Sequence, residues 1–165
     1  SGTLNLKDPF GINTIHINTN EEMLKEVINK FQEQDIVIKA AAVADYKPKT
    51  FSEKKIKKKD GEGLNLEMEK DTDILRKLGD IKRNQVLVGF AAESNDLIQN
   101  ATEKLKKKNL DYIVANDITA KGIGFASDDN KVSILCRNGN NISLDKMTKK
   151  EVAREIFDLI LKEKF

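Results

Sequence analysis

In this 165-residue chain the residues best suited to chemistry are lysines and aspartates close to short apolar runs. Lys54, Lys55, Lys57, Lys58 and Lys59 place five ammonium groups around one apolar residue, Ile56. Such a concentration of positive charge attracts phosphates. A run of this kind is ordinarily a solvated loop, but an isoleucine inside it predicts a segment that packs and turns one lysine inward. Asp45 follows an apolar run, where a carboxylate can accept from ribose hydroxyls or hold a hard cation; a turn or cap is its plainer role. Asp71-Thr72-Asp73-Ile74-Leu75 reads as a helix start, whose unpaired amides take an anion or the edge of a base, with simple capping as the alternative. Lys104 and Lys108 stand one turn apart on a predicted helix and, with Lys107, form either a phosphate clamp or a solvent-facing stripe. His16 and Cys136 fall in predicted strands and read as structural. No Walker loop, GxGxxG, metal-ligand spacing or nucleophile elbow is present.

The elements that must position these groups alternate. Ile12 to Ile17 has the period of a strand and precedes Thr19-Asn20-Glu21-Glu22, a helix start with acids in its first turn. Met23, Leu24, Val27, Ile28 and Phe31 then recur at helical spacing. Three nearly continuous apolar runs, Ile36 to Ala44, Gln85 to Ala92 and Tyr112 to Ala115, predict parallel strands covered on both faces. Thr72 to Ile81 and Ser94 to Lys108 read as amphipathic helices between them. Lys131 to Cys136, the turn signal Asn138-Gly139 and Asn141 to Leu144 predict an antiparallel hairpin. Thr148-Lys149-Lys150-Glu151 is a capping-box pattern that opens a final helix.

The expected fold is a single α/β domain over residues 1–165, with a Rossmann-like, doubly wound, mostly parallel sheet and helices on both faces. Asp45 to Glu69 leaves the alternation as a lysine-rich excursion. In such sheets ligands bind beyond the carboxyl ends of the strands. The weight therefore falls on Ala41-Ala42-Val43-Ala44-Asp45-Tyr46, on Phe90-Ala91-Ala92-Glu93 and on Asn116-Asp117. Small residues there either leave backbone amides open to a ligand or permit close helix packing.

A formal charge of +2 gives no global reason to invoke nucleic acid or a membrane. No apolar run approaches the ~20 residues that cross a bilayer, and the start does not resemble a signal peptide. Cys136 is the only cysteine, so the chain forms no internal disulfide, which suits a reducing cytoplasm.

Ala41-Ala42-Val43-Ala44-Asp45-Tyr46-Lys47-Pro48, followed by Lys55-Ile56-Lys57-Lys58, resembles the paired signature of bacterial phosphopantothenoylcysteine synthetases. Thr72-Asp73-Ile74-Leu75, Val88-Gly89-Phe90-Ala91-Ala92-Glu93, Ala115-Asn116-Asp117 and Gly124-Phe125-Ala126-Ser127-Asp128 resemble the family's remaining blocks, in order. The likeness runs from about Leu6 to the C-terminus. It implies a ligase of coenzyme A synthesis that uses CTP with Mg2+ to join 4′-phosphopantothenate to cysteine through an acyl-cytidylate. By position it implies that Lys39, Ala40 and Ala41 line the nucleotide site, with Ala42 beside the acyl-cytidylate and Asp45 at ribose or the metal-triphosphate. Lys55 matches the family's functional lysine and would stabilise charge on the phosphates. Thr72, Asp73, Ile74, Leu75 and Phe90 would surround the nucleotide, and Lys104 and Lys108 would reach its phosphates or base. A homodimer formed through the excursion is a further implication.

The chain departs from the family in lacking its opening strand and helix with the Asn-Arg-Ser-Ser-Gly motif, and Ser1-Gly2-Thr3 resembles the Ser-Gly-Pro after the family's second strand. The resemblance then predicts an open sheet edge and a site short of one functional asparagine. No FMN is expected, because the decarboxylase domain often fused upstream is not in this sequence. A non-catalytic nucleotide-binding module of the same fold is the principal alternative. An oxidoreductase-type dinucleotide domain and a nucleic-acid role for the lysine cluster rank below it.

Overall fold

The computed structural model describes residues 1–2, 7–57, 63–93, 96–117 and 129–164. Along the chain it forms α1 (Asn20–Phe31), β1 (Ile36–Lys39), β2 (Tyr46–Pro48), β3 (Met68–Lys70), α2 (Ile74–Ile81) and β4 (Val86–Glu93). There follow α3 (Leu97–Lys107), β5 (Tyr112–Asp117), β6 (Asp129–Cys136), β7 (Asn141–Thr148) and α4 (Lys149–Lys164). A five-stranded sheet runs β1-β4-β5-β6-β7, and β2 pairs with β3 as a separate ribbon. The β1/β4 and β4/β5 pairs are parallel, whereas β6 and β7 add antiparallel. The expected class of fold is thus the observed one.

Period-two alternation divides the apolar residues between two faces. Leu87, Ala91, Ile113 and Ala115 face α1, α2 and α3 and pack with Phe31, Leu75, Leu78, Ala101 and Leu105. Val86, Val88, Tyr112, Val114, Val132 and Ile134 face α4 and meet Val152, Ile156 and Ile160. Leu87, Val88 and Val114 are wholly buried, and each fully buried aliphatic side chain contributes roughly 1.5–3 kcal/mol. Gly89 is needed where α2 and the α3–β5 turn converge on β4, because a Cβ would crowd Leu75 and Leu110.

Local signals hold at the helix starts. Thr19 Oγ1 accepts from the Glu22 amide at 3.1 Å and Glu22 accepts in return from the Thr19 amide at 3.3 Å. Thr148 and Glu151 make the same reciprocal pair before α4, at 3.3 and 2.8 Å. The Asn138-Gly139 turn closes the β6–β7 hairpin with Gly139 at φ +92.

Three expectations differ. Ile12 to Ile17 does not join the sheet; among the described residues its backbone pairing is with Ser1, whose carbonyl accepts from Ile17 N at 2.9 Å. The run Ile36 to Ala44 stays in the sheet only as far as Lys39, where the register with β4 ends at Gly89. Ala40–Ala44 therefore lies beyond the ladder. Ile56 does not pack inward: it is 57% exposed, so its apolar character has no burial behind it among the described residues. Gly61, Glu62 and the block from Gly124 to Asp128 lie outside the described residues, as do Lys58 and Lys59.

At the amino ends of the strands, Lys82 meets Asp111 at 2.8 Å with side chains 8% and 12% exposed. The same Asp111 oxygen accepts from the Leu87 amide at 2.8 Å, and the Asp111 amide donates to the Leu87 carbonyl at 2.9 Å. This lock fixes β4 against the start of β5 and thereby the level at which their opposite ends open.

Candidate nucleotide-binding site

The carboxyl ends of β1, β4 and β5 open onto a cavity of about 1240 Å3. Residues 38–46 leave β1 and form one wall, residues 70–75 leading into α2 form a second, and Phe90, Ala91 and Ala92 form the floor. Lys104 and Lys108 enter from α3, and α4 closes the remaining side with Val152, Ile156 and Phe157. Of the residues singled out in the sequence, Lys39, Ala40, Ala41, Ala42, Asp45, Thr72, Asp73, Ile74, Leu75, Phe90, Lys104 and Lys108 line this one cavity. Lys55 does not; it is exposed on the excursion between β2 and β3.

Asp73 is the N-cap of α2, its carboxylate accepting from the Arg76 amide at 3.1 Å. Its other oxygen holds Lys108 Nζ at 2.8 Å. Burial works to raise the Asp73 pKa, but the bonds from Lys108 and the Arg76 amide outweigh it and hold the carboxyl below its ordinary value. Capping and a place in the cavity wall thus coincide in one residue. The first-turn amides of α2, which have no carbonyl one turn back, belong to cavity-lining Ile74 and Leu75.

Lys39 donates to the Ala41 carbonyl at 3.0 Å and makes no ion pair among the described residues. Burial pushes its pKa below the ordinary lysine value, and the neighbouring Lys108 charge adds to this against the opposing pull of Asp73 and Asp45. Among the described residues five lysines line the cavity, Lys39, Lys70, Lys104, Lys108 and Lys149, against three aspartates, Asp45, Asp71 and Asp73. Positive charge in excess, partly desolvated, is an environment that favours an anion.

A second layer steadies the two main walls. The Asp71 amide donates to the Asp45 carbonyl at 2.8 Å, which joins the wall after β1 to the one before α2. Asp71 in turn accepts from the Thr72 amide at 2.7 Å and lies 3.7 Å from Lys47. The Thr72 amide is the main reason its pKa falls; burial opposes this, and Asn20 and Lys47 assist. Asn20 Nδ2 caps the Thr72 carbonyl at 2.9 Å. Asn20, on α1, carried no signal in the sequence, because its role depends on a segment 52 residues away.

Cys136 is buried and its thiol is pushed up to about 11, chiefly by burial, as suits a structural residue rather than a nucleophile. His16 is exposed and sits 3.1 Å from Asp8. Among the described residues no three His, Cys, Asp or Glu side chains gather to hold a metal, and no helix is long and apolar enough to cross a membrane.

Fold and cavity together define an α/β domain with helices on both faces of its sheet and a lysine-rich cavity at the sheet's carboxyl edge. Residues 1–164 match the family described as DNA/pantothenate metabolism flavoprotein C-terminal domain, and the chain belongs to that family. It is 45% identical over 161 residues to the coenzyme A biosynthesis bifunctional protein CoaBC of Bacillus subtilis, covering 97% of this chain and 39% of that protein. The protein of the same description from Borreliella burgdorferi is 45% identical over 163 residues, 97% of this chain and 40% of its own length. The chain thus spans about two fifths of these relatives. The crystal structure of the C-terminal domain of a coenzyme A biosynthesis bifunctional protein CoaBC superposes with a TM-score of 0.79 at 39% identity, over 96% of this chain and 69% of that one.

Proposed function

We propose that this chain is a phosphopantothenate-cysteine ligase domain acting in coenzyme A synthesis with CTP, over residues 1–165 as one unit. The observation that carries this reading is the convergence on one cavity of the segments after β1 and before α2 with Phe90, Lys104 and Lys108. In this reading the carboxylate of 4′-phosphopantothenate attacks the α-phosphorus of CTP, and the bond to the β-phosphate breaks as pyrophosphate leaves with the electron pair. The amine of cysteine then attacks the acyl carbon, CMP departs, and an amide remains. Activation is required because a carboxylate is a poor electrophile, whereas the mixed anhydride carries a good leaving group.

Lys39, Lys104 and Lys108 would balance phosphate charge, and Asp45 would meet the ribose or the metal that accompanies the triphosphate. Ala42 would stand beside the acyl-cytidylate with no side chain to obstruct it. Lys55 would contribute from the excursion by stabilising charge on the phosphates. A magnesium ion carried by phosphates needs only one or two protein carboxylates, which suits a cavity wall with Asp45 and no dedicated three-ligand cluster among the described residues. When bound, it would supply further positive charge to the phosphates.

The excursion exposes Tyr46, Phe51, Ile56, Leu64, Leu66 and Met68. An apolar ribbon of this kind suits burial against a second copy, so we read it as the dimerisation element. A cytoplasmic setting accords with the lone reduced cysteine.

A CTP-binding module without ligase activity is the second reading, favoured by the place of Lys55 outside the cavity. Incubating the chain with CTP, Mg2+, 4′-phosphopantothenate and cysteine, and following products by mass spectrometry, separates the two. The ligase reading expects the amide, CMP and pyrophosphate, and loss of the amide in Lys55→Ala. CTP binding with no amide formed would establish the second reading instead.

A further inference from the structure

The cavity has two sides. Lys39, Lys104, Lys108 and the start of α2 lie with α2 and α3, whereas on the other face of the sheet it is bounded by Ile38, Phe90, Val152, Ile156 and Phe157, with Lys149 at the start of α4. Two uncharged polar side chains interrupt that wall, Asn116 near the end of β5 and Asn130 near the start of β6. Their side chains share one face. Asn116 continues the alternation of Tyr112 and Val114, Asn130 that of Val132 and Ile134, and Asn116 pairs with Val132, so Asn130 is its diagonal neighbour.

The carboxamide oxygens of both residues are buried, and neither has a hydrogen-bond partner among the described residues. A buried amide oxygen left unpaired costs about 1–3 kcal/mol, and such groups in a folded protein call for an explanation. Two of them in one patch, both facing a cavity large enough for a ligand, are explained together if the ligand supplies the missing donors. A carbonyl oxygen accepts hydrogen bonds; it offers nothing to a phosphate. The groups that satisfy it are hydroxyl and N–H groups on an uncharged part of the ligand, and the apolar neighbours suit such a part better than a triphosphate.

We propose that Asn116 and Asn130 form a hydrogen-bond-accepting subsite for the uncharged, hydrogen-donating portion of the bound ligand, opposite the lysines that take its phosphates. Under the ligase reading, on which this rests, that portion is either the ribose of CTP or the hydroxyl and amide N–H of the pantothenate chain. The subsite sets neutral acceptors on the α4 side of the strand ends against Lys39, Lys104 and Lys108 on the other.

The test compares the chain with Asn116→Leu and Asn130→Leu by calorimetry against Mg-CTP, Mg-2′,3′-dideoxy-CTP, inorganic tripolyphosphate and 4′-phosphopantothenate, with thermal melting alongside. Each variant is expected to keep or raise its melting temperature, because an unsatisfied buried group is removed. Each is also expected to lose roughly tenfold in affinity, the worth of one to two hydrogen bonds. A loss with CTP that vanishes with the dideoxy nucleotide assigns the donors to ribose. A loss with 4′-phosphopantothenate alone assigns them to the acyl chain. Tripolyphosphate binding should be unchanged. Unchanged affinity for every ligand, or an equal loss with tripolyphosphate, would overturn the subsite while leaving the ligase reading intact. A parent chain that binds none of these ligands would instead sink the ligase reading and the subsite with it.

Discussion

The two ends of the parallel strands carry lysine-aspartate clusters of opposite character. At the amino end Lys82 and Asp111 are matched one to one at 2.8 Å, nearly buried, with the same Asp111 oxygen also accepting from the Leu87 amide. At the carboxyl end Asp73 holds Lys108 at 2.8 Å while Lys39 stands partly desolvated, with a carbonyl as its one acceptor among the described residues. The first cluster is matched within the protein; the second leaves Lys39 without a carboxylate partner among the described residues, as a proposed anion site would. The same residue types therefore make a structural lock in one place and, in the reading proposed above, a binding site in the other, and the balance of charge separates the two.

That contrast yields graded expectations. Lys82→Met breaks the lock and leaves the Asp111 charge buried without its partner, which costs about 3 kcal/mol or more. Chemical denaturation should show a loss of that size, and at low temperature, where the variant stays folded, its affinity for CTP should match that of the parent. Unchanged stability would mean that the amino-end pair is dispensable and that the contrast between the clusters is misplaced.

The second expectation concerns protons. Burial lowers the pKa of Lys39 in the free protein, and a bound triphosphate would raise it again, so the complex holds more protons than its components near that pKa. Affinity for CTP should fall as pH rises through the pKa of free Lys39. Calorimetry in buffers of different ionisation enthalpy should then report net proton uptake in the alkaline range, and Lys39→Met should abolish its share. The same depression contributes a stability penalty below the folded pKa that is relieved as pH rises from there towards the ordinary lysine value.

The smallest effect belongs to a site remote from both clusters. Thr19→Ala removes the acceptor for the Glu22 amide in the α1 capping box and should lower stability by about 1 kcal/mol, with CTP affinity unchanged. A larger loss of affinity would mean that α1, through the Asn20 bond to Thr72, governs the wall of the site more strongly than the lysines do.

Much of the fold is written in short-range pattern. Buried parallel strands announce themselves as unbroken apolar runs, and Thr148 with Glu151 marks the start of α4 because both partners of the capping box lie within one turn. Strand limits are less legible, since β1 ends at Lys39 where its ladder with β4 ends, and pairing is a property of two segments at once. The same holds for Ile12 to Ile17, whose alternation has no sheet neighbour beyond Ser1 among the described residues. Among the residues lining the cavity, Asp45, Thr72, Asp73, Lys104 and Lys108 could be found because strand ends and helix starts are recognisable from one segment. Asn130 could not, because what distinguishes it is an unpaired oxygen beside Asn116 on the neighbouring strand.

The central claim is that unbalanced positive charge at the carboxyl end of the sheet binds a nucleotide. Its most direct test is the affinity of Mg-CTP for the chain, for Lys108→Ala and for Lys107→Ala, which removes an exposed lysine of the same helix that does not line the cavity. Saturable binding that weakens tenfold or more in the first variant, as the loss of a charge-assisted bond requires, and stays level in the second is the predicted result. Equal affinities in all three would contradict it.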